Sequence, residues 1–414
     1  MFDKNADPRF KRRAGIILII CFISTYFCGC LGSDILNVIK TPIMEQLGCS
    51  ATEALIGWSI GGYSVIVLAF IFSTIILKKG VRLVATLSLI ISAAAIIMVG
   101  VGYNMKSLAV LTIGGFVLKN FLQAVTLSIF QVVARWFGKS RGMVLGFIGA
   151  AFALDNSSSS TGMTLIYNSV GFAGLMVVAA IIVVVIAVCF FTFVRTTPEE
   201  LGLTVDGLPS AQAVENNDRE QEQPESKWSF KKLFSKKETW CIMVGVGIFN
   251  MTMSCVVTQF FGSLLGMGVT QQMCMTYMLI FGLLGVVMSP IYGKLVDKLG
   301  APKTGVVAAV LYIAAVLGFC FNIPVLGATG LTFFVGAPVL QPAIIMHVFG
   351  GREYQATSRY INIGASVISA CGLPFMTMFY DATGSYTPAY YTLLVLNFVA
   401  LLMMLFCRKT YIED

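Results

Sequence analysis

The chain has 414 residues, 57% of them hydrophobic and only 12% charged, with a mean hydropathy of +0.85. So few charges cannot coat the water-facing surface of a protein this size, which excludes a soluble globular domain. The net charge of +8 is explained below by where the basic residues fall, and it carries no nucleic-acid reading.

Apolar runs fall at 14–37, 52–76, 83–103, 107–133, 141–165, 169–194, 238–264, 270–293, 303–322, 324–348, 356–380 and 386–407. Each is long enough to cross a hydrocarbon core of about 30 Å at about 1.5 Å per residue. The first run follows Lys11-Arg12-Arg13 but is too long for the apolar region of a signal peptide, and it reads as the first of twelve spans. Twelve spans place both termini on one side. With the N-terminus taken as cytoplasmic, segments 4–13, 78–82, 135–141, 195–237, 294–303, 352–359 and 408–409 hold 25 of the 28 Lys and Arg residues. The opposite loops hold Lys40 and Lys106, and Lys119 falls within a span. This positive-inside asymmetry predicts a multi-pass protein of the cytoplasmic membrane with both termini cytoplasmic.

Six spans stand on either side of one long polar segment. The expected organisation is an N-terminal six-helix bundle over 1–195, a linker over 196–237 and a C-terminal six-helix bundle over 238–414. The linker opens on Pro198-Glu199-Glu200, runs through acidic polar sequence that reads as flexible, and ends in the basic amphipathic stretch Lys227–Phe234. That stretch is expected to lie on the cytoplasmic lipid surface. The eleven cysteines lie mostly inside apolar runs without zinc-type spacing, and His347 is the single histidine. They read as small packing residues, and neither a metal nor a redox cofactor is implied. No Walker-type glycine-rich loop is present, so no nucleotide is implied either.

The halves carry matching punctuation. After span 8 stands Gly293-Lys294-Leu295-Val296-Asp297-Lys298-Leu299-Gly300, and after span 2 stands Leu77-Lys78-Lys79-Gly80-Val81-Arg82. The first is similar to the Gly-x-x-x-Asp-Arg/Lys-x-Gly loop of the major facilitator superfamily, and the second resembles a degenerate copy with Leu77 in the aspartate position. Arg135-Trp136-Phe137-Gly138-Lys139-Ser140-Arg141-Gly142 resembles a segment of the oxalate/formate antiporters and monocarboxylate porters. So do Thr41–Gly48 and Tyr380–Tyr386 in their outer loops. The resemblance covers nearly the whole chain. It implies an all-α integral membrane protein of two six-helix bundles around a central cavity, working by alternating access on a small organic anion. It also implies conformational gating by Gly293, Asp297, Lys298, Gly300, Arg135 and Arg141. A transporter of this kind is expected to be a monomer and not an enzyme.

The chain departs from that pattern where oxalate exchangers carry basic residues on spans 8 and 11, because the aligned positions are Ser289 and Asn362. A dicarboxylate would lack charge compensation, and a desolvated anion needs it. The charges have moved to Lys119 in span 4, Asp155 in span 5 and Asp34 in span 1. An ionisable residue near the bilayer centre costs about 2.5–3.5 kcal/mol on insertion scales, so it faces a partner or a wet cavity. One lysine between two carboxylates is the expected arrangement. In one reading Lys119 meets a substrate carboxylate while Asp155 or Asp34 carries a proton. In the other, Lys119 and Asp155 form a permanent pair joining spans 4 and 5. Gln123, one turn after Lys119, joins Asn362, Tyr277 and Gln259 as further substrate-binding candidates.

The sequence thus reads as a carrier of a small organic anion, foremost a monocarboxylate, by proton symport or anion exchange. A carrier of neutral, zwitterionic or cationic solutes stays open, with the carboxylates binding and Lys119 balancing them. A membrane metabolite sensor that moves nothing is the alternative from another class.

Overall fold

The computed structural model describes residues 7–137, 141–207, 228, 230–334, 337–349 and 354–407. Among these no β-strand occurs, and ten helices are long and apolar enough to cross a membrane. One of the ten, Phe147–Phe193, has the length of two spans, and two shorter apolar helices, Pro324–Phe333 and Leu340–Phe349, occupy the place of span 10. The fold is the twelve-helix arrangement expected from the charge pattern.

Span 1 runs through α1 (Pro8–Gly29), a widened π-helical turn (Cys30–Asp34) and α2 (Leu36–Leu47). Spans 2, 3 and 4 are α3 (Ala51–Lys79), α4 (Val81–Asn104) and α5 (Leu108–Trp136). Spans 5 and 6 are the two arms of α6 (Arg141–Phe193), broken at Gly171. In the second half, α7 (Phe230–Phe234) leads into span 7, made of α8 (Lys237–Thr258) and α9 (Phe260–Gly266). Spans 8 and 9 are α10 (Gln271–Leu299) and α11 (Ala301–Cys320). Span 10 is assembled from α12 (Pro324–Ala328), α13 (Gly330–Phe333) and α14 (Ala337–Phe349). Span 11 is α15 (Tyr354–Ala370) with α16 (Gly372–Thr383), and span 12 is α17 (Thr387–Phe406).

The halves repeat one another in backbone conformation as well as in count. Positive φ angles recur at Gly48 and Gly268, Gly80 and Gly300, Lys106 and Asn322, and Gly171 and Gly384, each pair 213 to 220 residues apart. Gly80 and Gly300 are the closest match, with φ and ψ of 82° and 153° in one and 83° and 154° in the other. That region is essentially closed to side-chain-bearing residues, so glycine is what lets spans 2 and 8 turn at once into spans 3 and 9. Each half also buries its own apolar core, one centred on spans 1 to 6 and one on spans 7 to 12.

Two expectations about the linker change. Its first part is ordered, in 3₁₀ turns at Pro198–Leu201 and Val205–Gly207. It docks beneath the first half, where the Asp7 N–H donates to the Gly207 carbonyl (3.0 Å) and the Trp136 Nε1–H to that of Arg195 (3.0 Å). The basic amphipathic stretch packs on the second half instead of lying free on lipid. Trp228 meets Phe349 edge-on at 5.1 Å, Lys232 lies over the Trp228 ring, and Leu233 is fully buried. The second half offers these apolar groups a protein surface, and burying them there removes them from the interface. The acidic stretch 208–227 lies outside the described residues.

Candidate functional site

Between the halves lies a cavity of about 220 Å³, below the range of drug-sized ligand pockets and suited to a small solute. On the first-half side it is lined by Ser33, Leu36, Trp58, Ser59 and Lys119. On the other side stand Asn250, Ser254 and Thr258, which fall on one face of α8 at a spacing of four, and Ser366, Ser369 and Leu373 of span 11. Lys119 is the single charged residue of this lining, and among the described residues no carboxylate lines it.

Lys119 reaches the cavity because span 2 makes room for its stem. A Cβ built on Gly61 would stand 2.8 Å from the Lys119 Cβ and 3.1 Å from its Cγ. The ammonium donates to the Gly32 carbonyl (2.9 Å) and to the Ser33 hydroxyl (3.2 Å), both in the widened turn of span 1. An ammonium has three donors, so one remains for a ligand. The expected lysine between two carboxylates is met only in part: Asp34 acts on Lys119 through its charge but without a hydrogen bond. Neither Asp34 nor Asp155 accepts a hydrogen bond from Lys119, whose reach ends on neutral oxygens.

The carboxylates form their own cluster behind the cavity. Asp34 and Asp155 are 1% and 2% exposed. Ser159 donates to Asp34 Oδ2 at 2.5 Å, and Ser160 donates to the Asp34 carbonyl at 3.0 Å. Asp34 Oδ1 and Asp155 Oδ1 are both buried without a hydrogen-bond partner. The Asp155 carboxylate lies against the backbone of Gly29, where a Cβ would collide with its Oδ2. The serine run after Asp155 thus faces span 1, and its Ser158 hydroxyl is 2.9 Å from the Tyr26 hydroxyl.

The other candidates separate by location. Asn362 sits one amide removed from the cavity: Asn250 donates to Gln341 (3.1 Å), and Gln341 donates to Asn362 (2.7 Å). Gln123 and Tyr277 do not line the cavity, and the Tyr277 ring rests beside Phe281. Gln259 belongs to a cluster on the face away from the termini. There Lys40, 6% exposed, donates to Gln259 Oε1 (2.7 Å) and to the Tyr386 hydroxyl, which itself donates to Gln259 (2.9 Å). Lys40 was expected in a loop, but α2 continues past it and carries it into the gap between the halves.

Further hydrogen bonds join the halves on that same face. Asn37 donates to the Val257 carbonyl (2.7 Å), and its Oδ1 accepts from the Phe261 N–H (3.3 Å). Asp381 accepts from the Ala51 and Thr52 N–H groups (2.7 and 2.9 Å), so an acid of span 11 caps the N-terminus of span 2. Deeper in, spans 5 and 8 meet so closely that a Cβ on Gly282 would collide with Ser157.

Of the gating candidates, Gly293 and Lys298 lie in the last turns of α10, Gly300 forms the turn after it, and Arg135 closes α5. The side chains of Asp297, Arg141 and Ser289 lie outside the described residues. Sequence reasoning missed Trp58, Ser254, Ser366 and Ser369. The four-residue spacing of Asn250, Ser254 and Thr258 was the one available signal for that wall.

The fold is similar to solved transporter structures. A bacterial homolog of the human lysosomal transporter Spinster, in an inward-facing and occupied conformation, superimposes with a TM-score of 0.63 at 14% identity, over 96% of this chain and 94% of that one. A D-xylose-proton symporter gives a TM-score of 0.66 at 16% identity, over 94% of this chain and 97% of that one. No curated protein sequence matches the chain significantly. The family profile described as Major Facilitator Superfamily matches residues 22–346, most of the chain and parts of both halves. The chain belongs to the Major Facilitator Superfamily, and it is a multi-pass membrane transporter, not an enzyme.

Proposed function

We propose that this transporter carries a small monocarboxylate, bound through Lys119, by proton symport or anion exchange. The observation that carries the reading is the lining of the central cavity, where one ammonium faces neutral polar groups and, among the described residues, no carboxylate takes part in the lining. A monoanion balances that charge. A dianion would leave one charge desolvated and uncompensated, and a cation would meet a like charge. Of the alternative within transport, a carrier of neutral, zwitterionic or cationic solutes, the cationic and zwitterionic forms held by Asp34 and Asp155 lose support because neither carboxylate lines the cavity.

Asp155 and Asp34 are the proposed proton carriers. Each keeps a buried oxygen without a hydrogen-bond partner, a free position at which a proton could be taken up and released. A proton-coupled sugar carrier shares the fold. The excess of basic residues in the loops on the face carrying the termini supports a cytoplasmic placement of that face, with the protein in the cytoplasmic membrane as part of the same proposal. The hydrogen bonds on the opposite face then describe a carrier closed to the outside. We further propose the domain division at 196–237 and a monomeric unit.

Counterflow in proteoliposomes tests the reading. Purified protein loaded with unlabelled acid is expected to accumulate labelled lactate or butyrate, and Lys119→Ala is expected to lose at least about 100-fold in rate. That loss follows from leaving a desolvated carboxylate unpaired. Accumulation of a cationic amine, unaffected by Lys119→Ala, would reject the anion site.

A further inference from the structure

The cavity is polar on both sides but charged on one. Across from Lys119, the hydroxyls of Ser254, Ser366 and Ser369 make no hydrogen bond to another described residue. Serines in helices commonly satisfy themselves by bonding back to a carbonyl one turn earlier. Ser59 and Thr258 in the same lining do so, to Leu55 and Ser254. The three serines therefore differ from ordinary helix-bonded hydroxyls: they are donors and acceptors turned to the cavity with nothing to bind but its contents. Asn250 stands beside them, its amide donating to Gln341, which in turn donates to Asn362.

We infer that the substrate is a short hydroxylated monocarboxylate, its carboxylate on Lys119 and its hydroxyls on Ser254, Ser366, Ser369 and Asn250. This rests on the anion reading above and specifies the tail of that anion. A plain alkyl acid entering the cavity displaces water from those polar groups and leaves them unpaired, a cost that falls on the half-buried Ser254, Ser369 and Asn250 more than on the exposed Ser366. A tail carrying two or three hydroxyls replaces each displaced water. Sites built to bond a substrate hydroxyl reject the analogue lacking it far more strongly than apolar pockets reject a missing methylene. The volume limits the acid to a few carbons, and the single ammonium excludes a second carboxylate.

The test is inhibition of counterflow by a matched series: butyrate, 3-hydroxybutyrate, 2,3,4-trihydroxybutanoate, the neutral tetrol erythritol, and succinate. Affinity is expected to rise about fivefold to tenfold per hydroxyl read, with the trihydroxy acid tightest and erythritol and succinate weak. Ser366→Ala with Ser369→Ala is expected to weaken the trihydroxy acid at least about tenfold more than it weakens butyrate. Ser254→Ala is an independent second variant on the other helix. Equal affinity for butyrate and the trihydroxy acid, or serine variants that weaken both alike, would overturn the hydroxyl assignment while the anion site stands. Binding of erythritol with no acid bound would overturn the Lys119 reading itself, and this inference with it.

Discussion

In the proposed transport cycle the ammonium of Lys119 and the two carboxylates behind it are the central residues, and glycines set the position of both. Gly61 lets the Lys119 stem pass between spans 2 and 4, with a hypothetical Cβ only 2.8 Å from that of Lys119. Gly61→Val is therefore expected to displace the ammonium and raise the half-saturating substrate concentration at least about tenfold. Overpacking between spans 2 and 4 should also lower the melting temperature, at a cost of about 1–3 kcal/mol, so the substrate-binding assay is made on purified variant shown to be folded. Asp155 answers to a different measurement. If it carries the proton, Asp155→Asn should retain exchange of acid for acid but lose accumulation driven by a pH gradient, because an amide has no proton to cycle. Loss of both modes would assign Asp155 to the structure of spans 1 and 5. The sequence disclosed that these three charges lie at membrane depth, since a charge in an apolar run is visible on inspection. It did not disclose their partners. Whether Lys119 meets an acid or the carbonyl of Gly32 depends on how spans 1 and 4 rotate about their axes, which the run lengths leave open.

The turns between paired spans were easier to read than the spans themselves, because glycine and charge mark them. Gly80 and Gly300 adopt almost the same backbone conformation, so alanine should cost each of them about 1–3 kcal/mol in backbone strain. The two should not cost the same. A Cβ at Gly300 meets open space, whereas one at Gly80 stands 3.0 Å from the Thr196 hydroxyl. Thermal unfolding in detergent should therefore rank Gly80→Ala below Gly300→Ala, and the reverse order would discredit the contact with Thr196. The places where sequence reasoning fell short are breaks inside elements. Span 1 is one rod of helix widened at Cys30–Asp34, and span 10 is assembled from short helices. A run of apolar residues looks the same whether its backbone ladder is regular or slips by one residue, so hydropathy does not report the turn in which Gly32 and Asp34 meet their partners.

At the scale of the molecule, the halves are joined on the face away from the termini by Asn37, the Lys40–Gln259–Tyr386 cluster and Asp381 on the start of span 2. Opening that face requires all of them to separate. Asp381→Ala removes two charge-assisted hydrogen bonds, and because Asp381 is exposed the loss belongs at the low end, about 1–2 kcal/mol. Spin labels at positions 106 and 322, the matching turns of the two halves, should then show the longer inter-label distance about fivefold to thirtyfold more populated. An unchanged distance distribution would leave closure to the other contacts. The six-plus-six organisation was legible because basic residues mark one face of every loop pair. The closed face was not, because its contacts pair residues more than 200 positions apart, and no local pattern announces them.

The contact at Asp381 is unequal in how it tolerates sequence drift. Its donors are main-chain N–H groups of Ala51 and Thr52, which every residue type except proline supplies. The joint itself places no other demand on the side chains at 51 and 52, although buried Ala51 is held to a small residue by its packing, while loss of the carboxylate at 381 abolishes it. Random mutagenesis screened for carriers that leak from that face should therefore return position 381 repeatedly, and position 52 chiefly as proline.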